Sequence, residues 1–242
     1  MPALNLWATP KTPRSRPPVW HSLVEFVAPS TCALCLAPAS TGLCPDCIAD
    51  LPRNTAACPR CAQPLPIDQL CLACQRHPPT LDAVVAPLPY AWPLSTLILA
   101  YKHGGRMALA HPLGQLLVAQ APAAWFADLD AIVPIPLHPR RLAERGFNQV
   151  EPLAAALSQA RQRPLAKQLL QRVRDTTSQQ GLGRRARLNN LQAAFHVAQP
   201  LPGPRLLLVD DVMTTGSTLN AAATVLRAAG AQWVGAIALA RA

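Results

Sequence analysis

Residues 205–220 read RLLLVDDVMTTGSTLN, and few folds accommodate that order. Residues 206–209 form a short, continuous apolar run entered through the turn Pro202-Gly203-Pro204. A run that is apolar at every position predicts a strand buried on both faces, as in a parallel sheet covered by helices. Two acids follow, Asp210 and Asp211, and then a loop of small and hydroxyl residues, Thr214, Thr215, Gly216, Ser217 and Thr218. Residues 219–229 are Ala-rich with one apolar face and stop at Gly230, which predicts a helix.

A strand, a loop and a helix N-terminus in that order make an anion site. The first amides of the helix have no partner within it, and the positive end of the dipole faces the loop. Gly216 lets the backbone approach a ligand closely, and the hydroxyls of Thr214, Thr215, Ser217 and Thr218 can donate to phosphate oxygens. Two carboxylates repel a bare phosphate. They suit a ligand that also carries vicinal hydroxyls, as a ribose does, because an ionised Asp only accepts hydrogen bonds. The pattern is neither the Walker loop nor the dinucleotide loop. It resembles the signature of the type I phosphoribosyltransferases: apolar strand, two acids, an apolar pair, then T-T-G-x-T. In that family the loop holds the 5-phosphate of phosphoribosyl pyrophosphate and the acids hold its 2- and 3-hydroxyls.

The 242 residues suffice for one α/β domain plus something small. No apolar run approaches the roughly 20 residues of a membrane span, and the first residues show no secretory pattern, so the cytoplasm is the expected location. The formal charge is +10, and it concentrates between Pro134 and Leu191, where the cations far outnumber the acids Glu144, Glu151 and Asp175. Such a field suits a polyanion: a pyrophosphate, a nucleotide or a nucleic-acid backbone.

Eight cysteines stand as CxxC pairs: Cys32 with Cys35, Cys44 with Cys47, Cys58 with Cys61, and Cys71 with Cys74. Each CxxC turn brings two thiolates onto one cation, and two turns complete a tetrahedral four-sulfur site. Zinc suits the spacing best, with an iron–sulfur cluster as the alternative. Two ions are expected, structural rather than catalytic, since four thiolates leave no open coordination position. Sequential pairing and cross-braced pairing both remain open at this point. The similar period of the halves predicts a duplicated zinc ribbon, with few large apolar residues and little fold without metal.

Before the ribbon lies a Pro-rich basic arm, residues 1–28, with no visible chemistry; disorder is expected there. After it, residues 81–88 predict a strand and residues 94–101 a short helix. Lys102, beside Gly104-Gly105, is placed either to reach a ligand or merely to sit in a basic turn. Residues 109–126 predict a second helical stretch. Residues 132–136 predict another buried strand, followed by a basic loop with Arg140, Arg141 and Arg145 and then a helix through residue 160. Open α/β sheets bind ligands at the carboxyl ends of their strands, and guanidinium forks match phosphate oxygens. Asn148 either donates to the ligand or caps the helix. Residues 169–180 are polar and charged and predict a mobile lid hinged at Gly181 and Gly183. Residues 194–197 predict a strand.

Together these pieces resemble the ComF family (competence protein F, GntX-type). It joins an N-terminal cysteine module to a type I phosphoribosyltransferase domain. The pieces that carry the resemblance stand in family order: the CxxC pairs, Tyr101-Lys102, the Pro134-Ile135-Pro136 strand with Arg140-Arg141, and Arg145-Gly146-Phe147-Asn148-Gln149. Then come Arg172, Arg174, Thr176 and Gln179, Asn190 and Phe195, and finally residues 209–218. The resemblance implies an α/β fold: a type I phosphoribosyltransferase-like parallel sheet flanked by helices over residues 81–242, with a small N-terminal zinc-ribbon module of the four-cysteine type, duplicated, over residues 29–80.

It further implies phosphoribosyl pyrophosphate and magnesium as ligands, with pyrophosphate and Mg²⁺ near Arg140, Arg141 and Arg145. Lys102 and Asn148 are additional contacts. Arg174, Thr176 and Gln179 sit on the loop that closes over an oxocarbenium-like sugar. The role implied is transfer of phosphoribose to an unidentified acceptor, serving DNA uptake, competence or DNA utilisation. The other reading is a non-catalytic sensor or single-stranded DNA binder working with DNA-processing proteins.

Overall fold

The computed structural model describes residues 31–173 and 194–242. The arm at residues 1–28 and the candidates Arg174, Thr176 and Gln179, with most of the expected lid, lie outside the described residues. A five-stranded sheet organises the rest. Its strands are β1 (Ala83–Val85), β2 (Leu88–Pro89), β3 (Ala131–Pro134), β6 (Arg205–Met213) and β7 (Trp233–Arg241). The order is β1-β7-β6-β3, with β2 also pairing with β7, and every pairing is parallel. The strands β4 (Leu170–Arg172) and β5 (Phe195–Val197) form a separate antiparallel hairpin. The helices are α1 (Pro45–Ala49), α2 (Leu72–Arg76), α3 (Leu94–His103), α4 (Ala110–Gln120), α5 (Pro139–Arg145), α6 (Val150–Arg161) and α7 (Ser217–Ala228).

The apolar run of β6 is continuous because both of its faces are covered. Successive side chains of a strand point to opposite faces. Leu207 and Val209 join one core with Leu97 and Ile98 of α3, Leu113 and Leu117 of α4, and Leu153 and Leu157 of α6. Leu206 and Leu208 join the other with Leu219, Ala222 and Leu226 of α7 and with Phe195 of the hairpin. The strand β7 lies between β6 and β1, with Val234, Ala236 and Ala238 facing the α7 side and Ile237 and Leu239 the other. This layered parallel architecture is the one expected from the apolar run.

Several elements differ from expectation. The strand β6 does not stop at Val209 but runs through both acids to Met213, held in register by Asp210 opposite Ala238 and Met213 opposite Arg241. Residues 81–88 break into β1 and β2. The stretch 109–126 divides into a 3₁₀ turn (Met107–Leu109), α4 and a second 3₁₀ turn (Ala123–Phe126). The basic segment after β3 is itself helical: α5 ends at Gly146, whose φ of 78° lies in the left-handed region, and α6 starts anew. Among the described residues no helix is long and apolar enough to cross a membrane.

The cysteine segment is built onto the open edge of the sheet. Val84 N–H of β1 donates to Pro59 O at 2.8 Å, and Asn54 N–H donates to Pro87 O at 2.7 Å. Leu43 and Leu51 of the first half join the core of α3, α4 and α6, whereas Ala62 and Cys61 of the second half pack on the α7 side. Asp82 ties the pieces together. It accepts from Arg227 of α7 and from Val234 N–H at 2.7 Å, and lies 3.7 Å from Arg60 of the second half. Removing a partner from such a network leaves unpaired donors. Asp82→Ala is therefore expected to cost about 2 kcal/mol of stability, read from the midpoint of a urea unfolding curve.

Candidate functional site

The acids and the hydroxyl loop meet at the carboxyl end of the sheet. Asp211 is buried at 5% exposure and Asp210 is half-buried. Neighbours along a strand face opposite ways, and the two acids have different surroundings. Asp211 meets the Lys102 ammonium, Nζ to Oδ1 at 2.9 Å, and its Oδ1 also accepts from Val212 N–H at 2.6 Å. Its Oδ2 is buried with no hydrogen-bond partner among the described residues. Asp210 accepts from Asp211 N–H at 2.9 Å. Burial, then the neighbouring Asp211 charge, pushes the Asp210 carboxyl up to about 7, with Lys102 and Arg172 pulling the other way.

The loop turns at Gly216, which has a φ of 74° and stands at the start of α7. A Cβ there would lie 2.3 Å from Met213 Cε, the movable end of a flexible side chain, so it is the left-handed conformation that calls for glycine. Thr215 Oγ1 donates to Ser217 Oγ at 2.9 Å and accepts from Ser217 N–H at 3.3 Å. Thr214 and Thr215 are exposed, while Ser217 and Thr218 are half-buried. The first-turn amides of α7 open toward this loop, as at any helix N-terminus.

The other candidates lie on the neighbouring elements. Lys102 closes α3 and reaches Asp211 rather than solvent, its side chain only 16% exposed. Arg140 and Arg141 sit at the start of α5 and Arg145 at its end. Arg140 is exposed and pairs with Glu144 at 3.1 Å, an i,i+4 contact worth only tenths of a kcal/mol. Asn148 engages the fold: its Nδ2 donates to Ile135 O at 3.1 Å, and its Oδ1 accepts from Val150 N–H, also at 3.1 Å, at the start of α6. The carboxamide thus braces the first turn of α6 from one residue ahead of its N-cap, Gln149. Three more residues meet here: Tyr101 and Gln149, marked in the sequence only through the family resemblance, and Arg172, placed by the sequence in the expected lid. Tyr101 is fully buried, its hydroxyl donates to Gln149 O at 2.9 Å, and its ring packs at 5.7 Å from that of Phe147. Its place in the 94, 97, 98, 101 apolar face of α3 was the available signal. Gln149 is likewise buried, and its Oε1 has no hydrogen-bond partner among the described residues. Arg172 of β4 lies over the Phe195 ring, 5.6 Å from its centroid, and acts on Asp210.

The cysteines form two sets, Cys32, Cys35, Cys44, Cys47 and Cys58, Cys61, Cys71, Cys74, each with all sulfurs within 4.8 Å of one another. The pairing is sequential, not cross-braced. Sulfurs about 2.3 Å from a common tetrahedral ion stand about 3.8 Å apart; Cys35 and Cys44 are at 3.6 Å and Cys61 and Cys71 at 3.7 Å. The Cys44 and Cys35 sulfurs push the Cys47 thiol well above its ordinary value. Burial and the neighbouring sulfurs do the same to Cys74. Four thiolates this close coexist around a cation, so both sets fit zinc. The halves repeat in detail. Leu36 and Ala62 share a positive φ (65° and 53°). The backbone amides of Cys32 and Cys58 donate to Ala37 O and Gln63 O. Cys44 and Cys71 cap α1 and α2 through their sulfurs.

Known proteins share both parts. Residues 23–75 match the model of the double zinc ribbon domain and residues 141–242 that of the phosphoribosyl transferase domain. The chain is 35% identical over 211 residues to competence protein F of Haemophilus influenzae, covering 84% of this chain and 92% of that protein. It is 35% identical over 209 residues to DNA utilization protein YhgH of Escherichia coli O157:H7, covering 84% and 86%. Competence protein ComFC of Streptococcus pneumoniae is 36% identical over 110 residues, covering 45% and 47%.

Metal analysis of the full chain purified without chelator should find two zinc ions. Cys58→Ser, at a fully buried ligand, should retain one ion and lower the melting temperature more than Cys35→Ser, at an exposed one.

Proposed function

We propose a function from one premise: this chain belongs to the family of competence protein F and DNA utilization protein YhgH. In this reading it binds phosphoribosyl pyrophosphate with magnesium at the carboxyl end of β6 and transfers phosphoribose, in the service of DNA uptake or utilisation. The observation that carries the reading is the meeting of Asp210 and Asp211 with the Gly216 loop and the N-terminus of α7.

The loop hydroxyls and amides take the 5-phosphate. The acids accept from the ribose hydroxyls, and the arginines of α5 face the pyrophosphate. Among the described residues the clusters able to hold a metal are the two cysteine sets, so magnesium would arrive on the oxygens of the donor. Bound there, it would neutralise the departing pyrophosphate. Bond breaking at the anomeric carbon releases pyrophosphate with its electron pair, and a nucleophilic acceptor forms the new bond and loses a proton. The chain's residues orient the sugar and exclude water from it.

A second reading, single-stranded DNA held without turnover, draws on Trp92. It is 79% exposed and follows Tyr90, whose N–H bonds Arg241 O at 2.7 Å at the carboxyl end of the sheet. An exposed ring at this end of the sheet suits base stacking.

Titration of zinc-loaded protein with phosphoribosyl pyrophosphate and Mg²⁺, followed by calorimetry and by pyrophosphate release with candidate acceptors, tests the first reading. Absence of binding would sink it, and binding without release would favour a sensor. Gly216→Ala should weaken donor binding at least about tenfold, and Asp210→Asn with Asp211→Asn should abolish it while sparing salt-sensitive DNA binding. Donor affinity should also depend on pH. The carboxylate form of Asp210 accepts the hydroxyls and forms only above about 7, so affinity should be about tenfold weaker at pH 6 than at pH 8. Asp210→Asn should flatten that profile. The same raised value means the stability contributed by this group is greatest below its ordinary range and is lost as pH rises through about 7.

A further inference from the structure

We propose that Lys102 is a positioning residue that aims Asp211 at the ligand's sugar and thereby makes the site selective for ribose over 2-deoxyribose. This inference rests on the reading of the site as a phosphoribosyl site. It starts from the asymmetry of the Asp211 carboxylate. One oxygen, Oδ1, is held twice, by Lys102 Nζ at 2.9 Å and by Val212 N–H at 2.6 Å. Two bonds to one oxygen fix the rotation of the group. The other oxygen, Oδ2, is buried and has no hydrogen-bond partner among the described residues. A buried acceptor without a partner is costly, and a hydroxyl brought into the site with a ligand is a donor that would satisfy it.

Lys102 is itself placed by the fold. The preceding residue, Tyr101, is fully buried, hydrogen-bonds Gln149 O at 2.9 Å and stacks near Phe147. The last turn of α3 therefore spans the gap between the acidic end of β6 and the junction of α5 with α6. Charge follows the same logic. Asp211 is 7% exposed and Lys102 16% at their side chains. Without the ammonium, this buried carboxylate loses its ion pair and one of the two bonds that fix its rotation.

The test compares ribose 5-phosphate with 2-deoxyribose 5-phosphate, whose phosphates are the same, by calorimetric titration of the full zinc-loaded chain. Wild type should bind the ribose compound at least about tenfold more tightly, the scale of one hydrogen bond to a charged group. Lys102→Met should bring the ratio to about one while binding of inorganic phosphate at the loop stays within about twofold. Lys102→Arg, which keeps the charge, should retain a preference of at least about threefold. A merely structural role would weaken all three ligands together and leave the ratio unchanged, which would overturn the proposal. So would a wild type that binds both sugars equally, although the phosphoribosyl reading would then stand. A wild type that binds neither sugar phosphate nor the pyrophosphate donor would overturn that reading and this inference with it. Should Lys102→Met fail to retain zinc or its circular dichroism spectrum, Lys102→Gln and the arginine variant carry the same comparison.

Discussion

Everything in this molecule depends on β6 being covered on both faces. A strand apolar at each of residues 206–209 has no solvent side, so helices must pack above and below it. That requirement brings α3, α4 and α6 to one face and α7 to the other. It also confines charge to the strand's two ends, Arg205 at the amino end and the acids at the carboxyl end, where the covering layers give out. Asp210 and Asp211 stand there, still paired with β7 through the backbone, with the loop to α7 directly after them. The site is a product of where the cover stops.

The parts of the fold that could be read in advance are those marked by local chemistry. The strand and helix around residues 205–229, the cysteine pairs and the basic run after β3 each announce themselves within a few residues. The strand β7 does not. Its residues, WVGAIALAR, are apolar without any chemical sign, yet it pairs with β1, β2 and β6 and so holds the centre of the sheet. The end of β6 was obscured for a different reason. Charge suggests a loop, but a backbone ladder does not depend on the side chains it carries, and the pairing with β7 continues past both acids.

The candidate site divides in the same way. Gly216 and its hydroxyl neighbours are contiguous in the chain, and their spacing alone describes a turn into a helix. The contact of Lys102 with Asp211 joins residues far apart in sequence and follows only from the packing of α3 against the sheet. Asn148 had two readings, ligand contact and the more favoured helix cap, and its bonds to Ile135 and Val150 place it just before α6. The alternatives for the cysteines were likewise geometric. A run of CxxC pairs does not distinguish neighbouring from alternating partners, and only the sulfur positions do so.

The repeated ribbon has a further consequence, seen in where it lies. A sheet's outermost strand presents unpaired amides and carbonyls that invite another chain to add to it. On one margin that strand is β1, where the second ribbon covers Val84 through Pro59 and the segment before it holds Pro87, just past the strand, through Asn54. The screen keeps its shape only while its thiolates are held together. Metal supply therefore bears on more than the fold of a small module. A cell short of zinc would hold copies of this protein with a bare sheet margin, open to association with one another and to proteolysis. The abundance of the protein would then follow the metal status of the cell.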